Sequence, residues 1–114
     1  MTNSQIAATI KQAIADYYGI DPYIISDPKR PFWAYTFRWI MCYFLRYKTD
    51  LKYSDIGFFI HDKTRADSVL KNIASLRRRM KTDQQLDDDM TIIGKLISNR
   101  LKYLKENMPD LQAA

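Results

Sequence analysis

Apolar residues recur at intervals of three and four along most of the chain, while alternation with a period of two is scarce, so the pattern predicts helices and no sheet. Ile6, Ile10, Ala13, Ile14 and Tyr17 fall on one stripe. With Asn3 or Ser4 as N-cap, and Gly19 where a left-handed residue ends a helix, a first helix is predicted over roughly residues 4–18. The following IDPYIISDPKRP contains three of the four prolines and leaves room for at most one helical turn, because Pro28 and Pro31 interrupt regular structure. From Phe32 to Lys48 the segment FWAYTFRWIMCYFLRYK is apolar on nearly every side, with Trp33, Phe37, Ile40, Phe44 and Tyr47 at helical spacing. Such a helix is expected in the middle of a bundle.

After Asp50, LKYSDIGFFI predicts a short helix of about two turns, followed by the polar break His61-Asp62-Lys63 and a longer helix from Thr64 to Lys81. In the longer helix Val69, Ile73, Leu76 and Met80 form the stripe to be buried. Thr64, Asp67, Ser68, Lys71, Ser75 and Arg78 then fall on the opposite face, with Arg65 nearer the edge. Small hydrogen-bonding residues near the start of a helix, followed by a basic half, suit a major groove with flanking phosphates. A solvated amphipathic helix carries the same pattern. The last segment opens with the capping-box pattern Thr82-Asp-Gln-Gln85 and continues with Leu86, Met90, Ile93, Ile97, Leu101 and Leu104 on a stripe, to about Asn107 before Pro109. Asp87, Asp88 and Asp89 near its start and Arg100, Lys102 and Lys105 near its end suit the helix macrodipole. Consecutive aspartates diverge by about 100° on a helix and do not converge on one cation. The expected class is an all-α helical bundle with a helix-turn-helix, formed as one domain over residues 1–114.

Composition narrows the function. The 114 residues are 46% hydrophobic and 27% charged, enough for one core without cross-links. A single cysteine, Cys42, excludes an internal disulfide, and a single histidine, His61, leaves too few ligands for a structural zinc site. Cys42 is expected to pack as a small apolar residue, and His61 to lie in the turn. No apolar h-region or long apolar run is present, so a cytoplasmic protein without membrane contact is expected. There is neither a nucleophile–base constellation nor a G-x-x-x-x-G-K-[ST] sequence, so neither an enzyme nor a cofactor is expected.

The net charge of +5 is unevenly spread: residues 29–81 carry thirteen Lys or Arg against four Asp, a net +9, and each flanking segment is mildly acidic at −2. Such a block is the electrostatic footprint of a polyanion-binding surface. Within it Arg38 and Arg46, eight residues apart and so expected close to one face, must each reach solvent or a phosphate.

Thr49–Gly57, TDLKYSDIG, followed by a break and ADSVLKNI at Ala66–Ile73, resembles the C-terminal DNA-binding domain of the bacterial replication initiator DnaA. AIADYYGI at Ala13–Ile20 and LRRRMKTDQQLDDDMTII after the longer helix extend the resemblance over about residues 6–101. It implies a Trp-repressor-like helix-turn-helix fold that binds short duplex sites as a monomeric domain, here without the initiator's ATPase motor. It places Arg30 at a minor-groove arginine, Arg38 and Arg46 at basic positions facing DNA, and Lys52 at a small position where a phosphate contact fits. In the base-reading motif, Thr64-Arg65-Ala66-Asp67-Ser68 departs from the family's R-D-H-[ST]-T. Only Ser68 is a close match; Ala66 replaces a base-reading histidine, and Asp67 puts an acceptor-only carboxylate at a base-facing threonine position. The candidate DNA-binding set is therefore Arg30, Arg38, Arg46, Lys52, Lys63, Thr64, Arg65, Asp67, Ser68 and Lys71. The expected function is double-stranded DNA binding in replication initiation or its regulation. The alternative is a protein-interaction module that keeps the fold, has lost sequence-specific DNA binding, and engages another replication or regulatory protein.

Overall fold

The structure, a computed structural model, describes residues 1–27, 34–60 and 65–107. Among them it consists of helices α1 (Asn3–Tyr18), α2 (Tyr23–Ser26), α3 (Tyr35–Lys48), α4 (Tyr53–Ile60), α5 (Ala66–Thr82) and α6 (Gln84–Asn107), with no strand. The all-α expectation holds. Arg30, Trp33, His61, Lys63 and Thr64 lie outside the described residues, as do Phe32, where the aromatic helix was expected to begin, and Pro109.

Helix ends follow local chemistry, sometimes one residue from where the pattern put them. The cap of α1 is Thr2 rather than Asn3 or Ser4: its Oγ1 accepts from the Gln5 backbone N–H at 3.2 Å, and Gln5 Oε1 accepts from the Thr2 N–H at 2.7 Å. At the other end Gly19 takes the expected left-handed conformation, φ 67° and ψ 38°. The proline-rich connector holds the single turn α2. Between α5 and α6 the capping residue is Asp83, whose Oδ1 accepts from the Leu86 N–H at 3.1 Å, and Thr82 still belongs to α5.

Helix α3 occupies the centre, packed by α1, α2, α4 and α5, and its Ile40, Met41, Cys42, Phe44 and Leu45 are all buried. Tyr47 departs from the expected stripe and is 50% exposed. Around α3, Ile10, Ala13 and Ile14 of α1, Ile56 and Ile60 of α4, and Val69, Ile73 and Leu76 of α5 close one contiguous core. Met80 of α5 and Leu101 of α6 pack on its margin. Helix α6 lies along α1 and α5, with Leu86, Met90, Ile93 and Ile97 inward. No helix among the described residues is long and apolar enough to cross a membrane.

The three aspartates at the start of α6 do more than answer the macrodipole. Asp89 is buried, accepting from Tyr17 Oη at 2.6 Å, Tyr18 Oη at 3.1 Å and Gln85 Nε2 at 2.9 Å, and so ties α1 to α6. Asp88 instead accepts from Gln84 on the exposed side. Arg100 is likewise not only a C-terminal counter-charge: its Nη2 pairs with Asp16 Oδ2 of α1 at 2.8 Å. That pair is partly exposed and contributes little stability.

Two outcomes test this packing. Asp89→Ala should lower unfolding free energy by about 1 to 3 kcal/mol, because two tyrosine hydroxyls lose their acceptor. The hydrogen bond to Asp89 raises the Tyr17 pKa, and burial followed by the Asp89 charge raises that of Tyr18. The folded state therefore keeps protons that the unfolded state releases, so stability is fully present below about pH 10 and falls as pH rises above it. A denaturation series from pH 8 to 11 checks the sign, and Asp89→Ala should flatten the decline. Gly94, mid-helix in α6, faces Phe44: an added Cβ meets Phe44 Cε1 at 3.5 Å, an ordinary contact. Gly94→Ala should stabilise by about 0.5 to 1 kcal/mol through the lower backbone entropy of alanine, read as a higher melting temperature.

Candidate nucleic-acid interface

The orientation of α5 is dictated by its apolar stripe. Val69, Ile73 and Leu76 are buried, and α5 packs mainly on α3 and α4. At 100° per residue the side opposite that stripe carries Asp67, Lys71, Ala74 and Arg78. All four are exposed. Ser68 and Ser75 sit half-buried on one flank, where Ser75 Oγ accepts from Arg78 Nη2 at 3.3 Å. Arg65 is the N-cap residue, exposed, with extended backbone and no side-chain capping bond. Asp67 lies in the first turn, where a carboxylate also complements the helix dipole.

A second group of cations gathers where α3 ends and α4 begins. Arg46 is exposed, donates from Nη1 to the Leu51 carbonyl at 3.2 Å, and lies over the Tyr53 ring with Cζ 4.9 Å from its centroid. Lys52, immediately before α4, is exposed. Both keep the accessibility that a phosphate contact requires. Arg30, Lys63 and Thr64, which also belong to the expected set, fall outside the described residues.

Arg38 does not belong with them. It is 3% exposed, and its Nη2 donates to the Asp27 carbonyl at 3.1 Å, joining α3 to the chain that follows α2. The expectation that it shares a face with Arg46 fails on helix geometry: eight residues advance by about 800°, leaving the two side chains about 80° apart. On a helix covered by four neighbours, that rotation carries one arginine inward and leaves the other outside. Beside it Cys42 is buried with its Sγ 3.8 Å from Asn72 Nδ2, and burial pushes its thiol up to about 12, so it is protonated at neutral pH.

Charge counting did not single out which arginines rest on rings. Arg77 Cζ lies 5.1 Å from the Tyr47 ring centroid. Arg79 lies 5.9 Å from that of Trp39 and donates to Thr36 Oγ1 at 3.0 Å. The i, i+3 and i, i+4 rules relate neighbours on one helix, whereas these pairs join α5 to α3. Two large apolar side chains also stand out on the paired helices, Phe58 of α4 at 71% exposure and Leu70 of α5 at 49%. Elsewhere, an open groove of about 580 Å³ runs between Ala8 and Thr9 of α1 and Arg100, Tyr103 and Leu104 of α6. Among the described residues, no group of three or more His, Cys, Asp or Glu side chains gathers to hold a metal ion.

The two arginines of α3 should separate in a stability measurement. Arg38→Ala is expected to cost about 1 to 3 kcal/mol, since the Asp27 carbonyl loses a charged donor in a buried setting. Arg46→Ala should cost less, about 1 kcal/mol, because the exposed guanidinium gives up a cation–π contact and a hydrogen bond to the Leu51 carbonyl that water can replace. Equal midpoints in urea denaturation would contradict the inward placement of Arg38.

No protein-family model, no curated protein and no solved structure matches this chain.

Proposed function

We propose that the chain is a non-enzymatic double-stranded DNA-binding protein of the replication-initiator kind, acting in replication initiation or its regulation. In this reading α4 and α5 serve as a helix-turn-helix, and α5 offers its outer face to the major groove. The observation that carries it is the outer face of α5: Asp67, Lys71 and Arg78 stand clear of the core on a helix within the +9 block. Lys71 and Arg78 are donors suited to guanine O6 and N7, and Asp67 is an acceptor suited to cytosine N4–H. Arg46 and Lys52 contribute phosphate contacts beside α4, with Arg65 at the start of α5. Arg38 acts from the interior as a structural residue.

A second reading is favoured by Phe58 and Leu70. Large exposed apolar side chains on both α4 and α5 suit a protein partner better than a phosphate backbone. In that reading the fold is an interaction module without sequence-specific DNA binding.

Fluorescence anisotropy with random and initiator-box duplexes at several salt concentrations distinguishes the two. The DNA reading expects a log–log salt slope of roughly −3 to −5, from three to six phosphate contacts at about 0.9 each. Lys71→Ala should weaken the preferred duplex by about 1 to 3 kcal/mol, and Arg46→Ala should weaken all duplexes alike while reducing the slope by about one unit. Asp67→Ala relaxes discrimination at one base pair if the carboxylate accepts from cytosine, and strengthens binding to every sequence if it only repels phosphate. Absence of binding at low salt by demonstrably folded protein would overturn the DNA reading in favour of the partner one.

A further inference from the structure

The C-terminal end of α3 presents chemistry that neither the core nor the outer face of α5 uses. Tyr47 is 50% exposed, in the last turn of a helix whose Ile40, Met41, Cys42, Phe44 and Leu45 are buried. Its ring lies 4.6 Å from that of Tyr43, tilted by 46°, and the Arg77 guanidinium lies over it at 5.1 Å. Tyr43 is in turn held edge-on by Phe44, with centroids 5.3 Å apart, so the tyrosine pair is anchored to the core. The next residue, Lys48, is exposed, and its Nζ donates to Ser98 Oγ of α6 at 2.8 Å. On α5, Arg77 is rotated by about 100° from Arg78, which places it on a flank of the helix and away from the outer face.

We infer that Tyr47, Arg77 and Lys48 form a separate contact for an unpaired nucleic-acid strand, with one base stacked at Tyr47 and adjacent phosphates on Arg77 and Lys48. The ring is rigidly backed and half open, which a stacking anchor requires. Its present cover, a guanidinium at an exposed site, is a weaker partner than a nucleobase. A base can therefore take the place of Arg77 over the ring, and the displaced arginine remains within reach of the strand's phosphates. Duplex DNA does not offer this contact along its length, because its bases are closed between neighbours at 3.4 Å. Two cations that form no ion pair among the described residues would hold any polyanion. The exposed ring is what makes bases count.

The test uses the full chain and four labelled probes of equal length: a thymidine strand, a uridine strand, an abasic deoxyribose-phosphate strand and a duplex. Wild type should bind the thymidine or the uridine strand about 10-fold more tightly than the abasic one, the scale of one base–aromatic stack; the tighter of the two identifies DNA or RNA as the source. Tyr47→Ala should remove that preference while changing duplex affinity by less than about 2-fold, and Tyr47→Phe should keep it, since stacking needs the ring alone. Thermal melting confirms that both variants are folded. Equal affinity for base-bearing and abasic strands would overturn the inference. So would a loss with Tyr47→Phe as large as with Tyr47→Ala, or a parallel loss on duplex and single strand. The inference stands apart from the duplex proposal: strand binding that depends on Tyr47, without any duplex binding, would sink the latter alone.

Discussion

The need to bury α3 on nearly every side governs the arrangement of the other helices. A helix carrying Ile40, Met41, Cys42, Phe44 and Leu45 within six residues has no single apolar stripe to turn inward. It is stable in water only if several elements surround it, each such side chain contributing about 1.5 to 3 kcal/mol once fully covered. Helices α1, α4 and α5 are amphipathic and have one apolar face each to give. Once those faces are spent on α3, their polar sides have nowhere to go but outward. The exposed row Asp67, Lys71, Ala74 and Arg78 is thus a consequence of what Val69, Ile73 and Leu76 must cover.

The same packing engages acidic side chains at both ends of the chain. Acids of the flanking segments are occupied within the protein: Asp89 by Tyr17, Tyr18 and Gln85, and Asp16 by Gln12 and Arg100. The Gln12 hydrogen bond, followed by Arg100, holds the Asp16 carboxyl below its usual range, so it stays ionised and engaged. These contacts pin carboxylates along the α1–α6 seam. Of the middle segment's cations, Arg46, Lys48, Lys71, Arg77 and Arg78 on α3 and α5 and Lys52 just before α4 face solvent, while Arg38 is buried and Arg79 lies 4.0 Å from Asp83.

Much of this was legible in the chain. The stripes of α1, α5 and α6, the left-handed Gly19 and the single turn among the prolines follow from local periodicity and backbone sterics, which sequence encodes directly. The rest depends on which helix meets which. Thr2 lies only one residue outside the expected cap, yet its reciprocal bond with Gln5 is a local feature that T-x-x-Q at residues 2–5 already spells out. Asp89, one of three adjacent aspartates, is distinguished solely by facing two tyrosines about 70 residues earlier in the chain. Tyr47 continues the spacing of Phe37 and Phe44 but lies past the region that its neighbours cover. Periodicity says which residues share a face. It does not say how far along the helix that face stays covered.

Arginine and lysine divide the basic surface in a way that bears on what it can do. Arg46, Arg77 and Arg79 each rest on a ring, and Arg46 and Arg79 also hold a hydrogen bond, so their side chains have already lost rotamer freedom on folding. Lys52 and Lys71 are exposed stems of four carbons that would be ordered only on binding, at a cost of about 0.5 to 1.5 kcal/mol each. An anion meeting the pre-ordered guanidiniums therefore costs less conformational entropy per contact than one meeting the lysines. In the proposed duplex complex, positioning falls first to Arg46, already held on Tyr53, joined by Lys52 and Arg65. Lys71, whose ordering must be compensated by a good partner, rewards only the matching base and so contributes more to discrimination than to affinity.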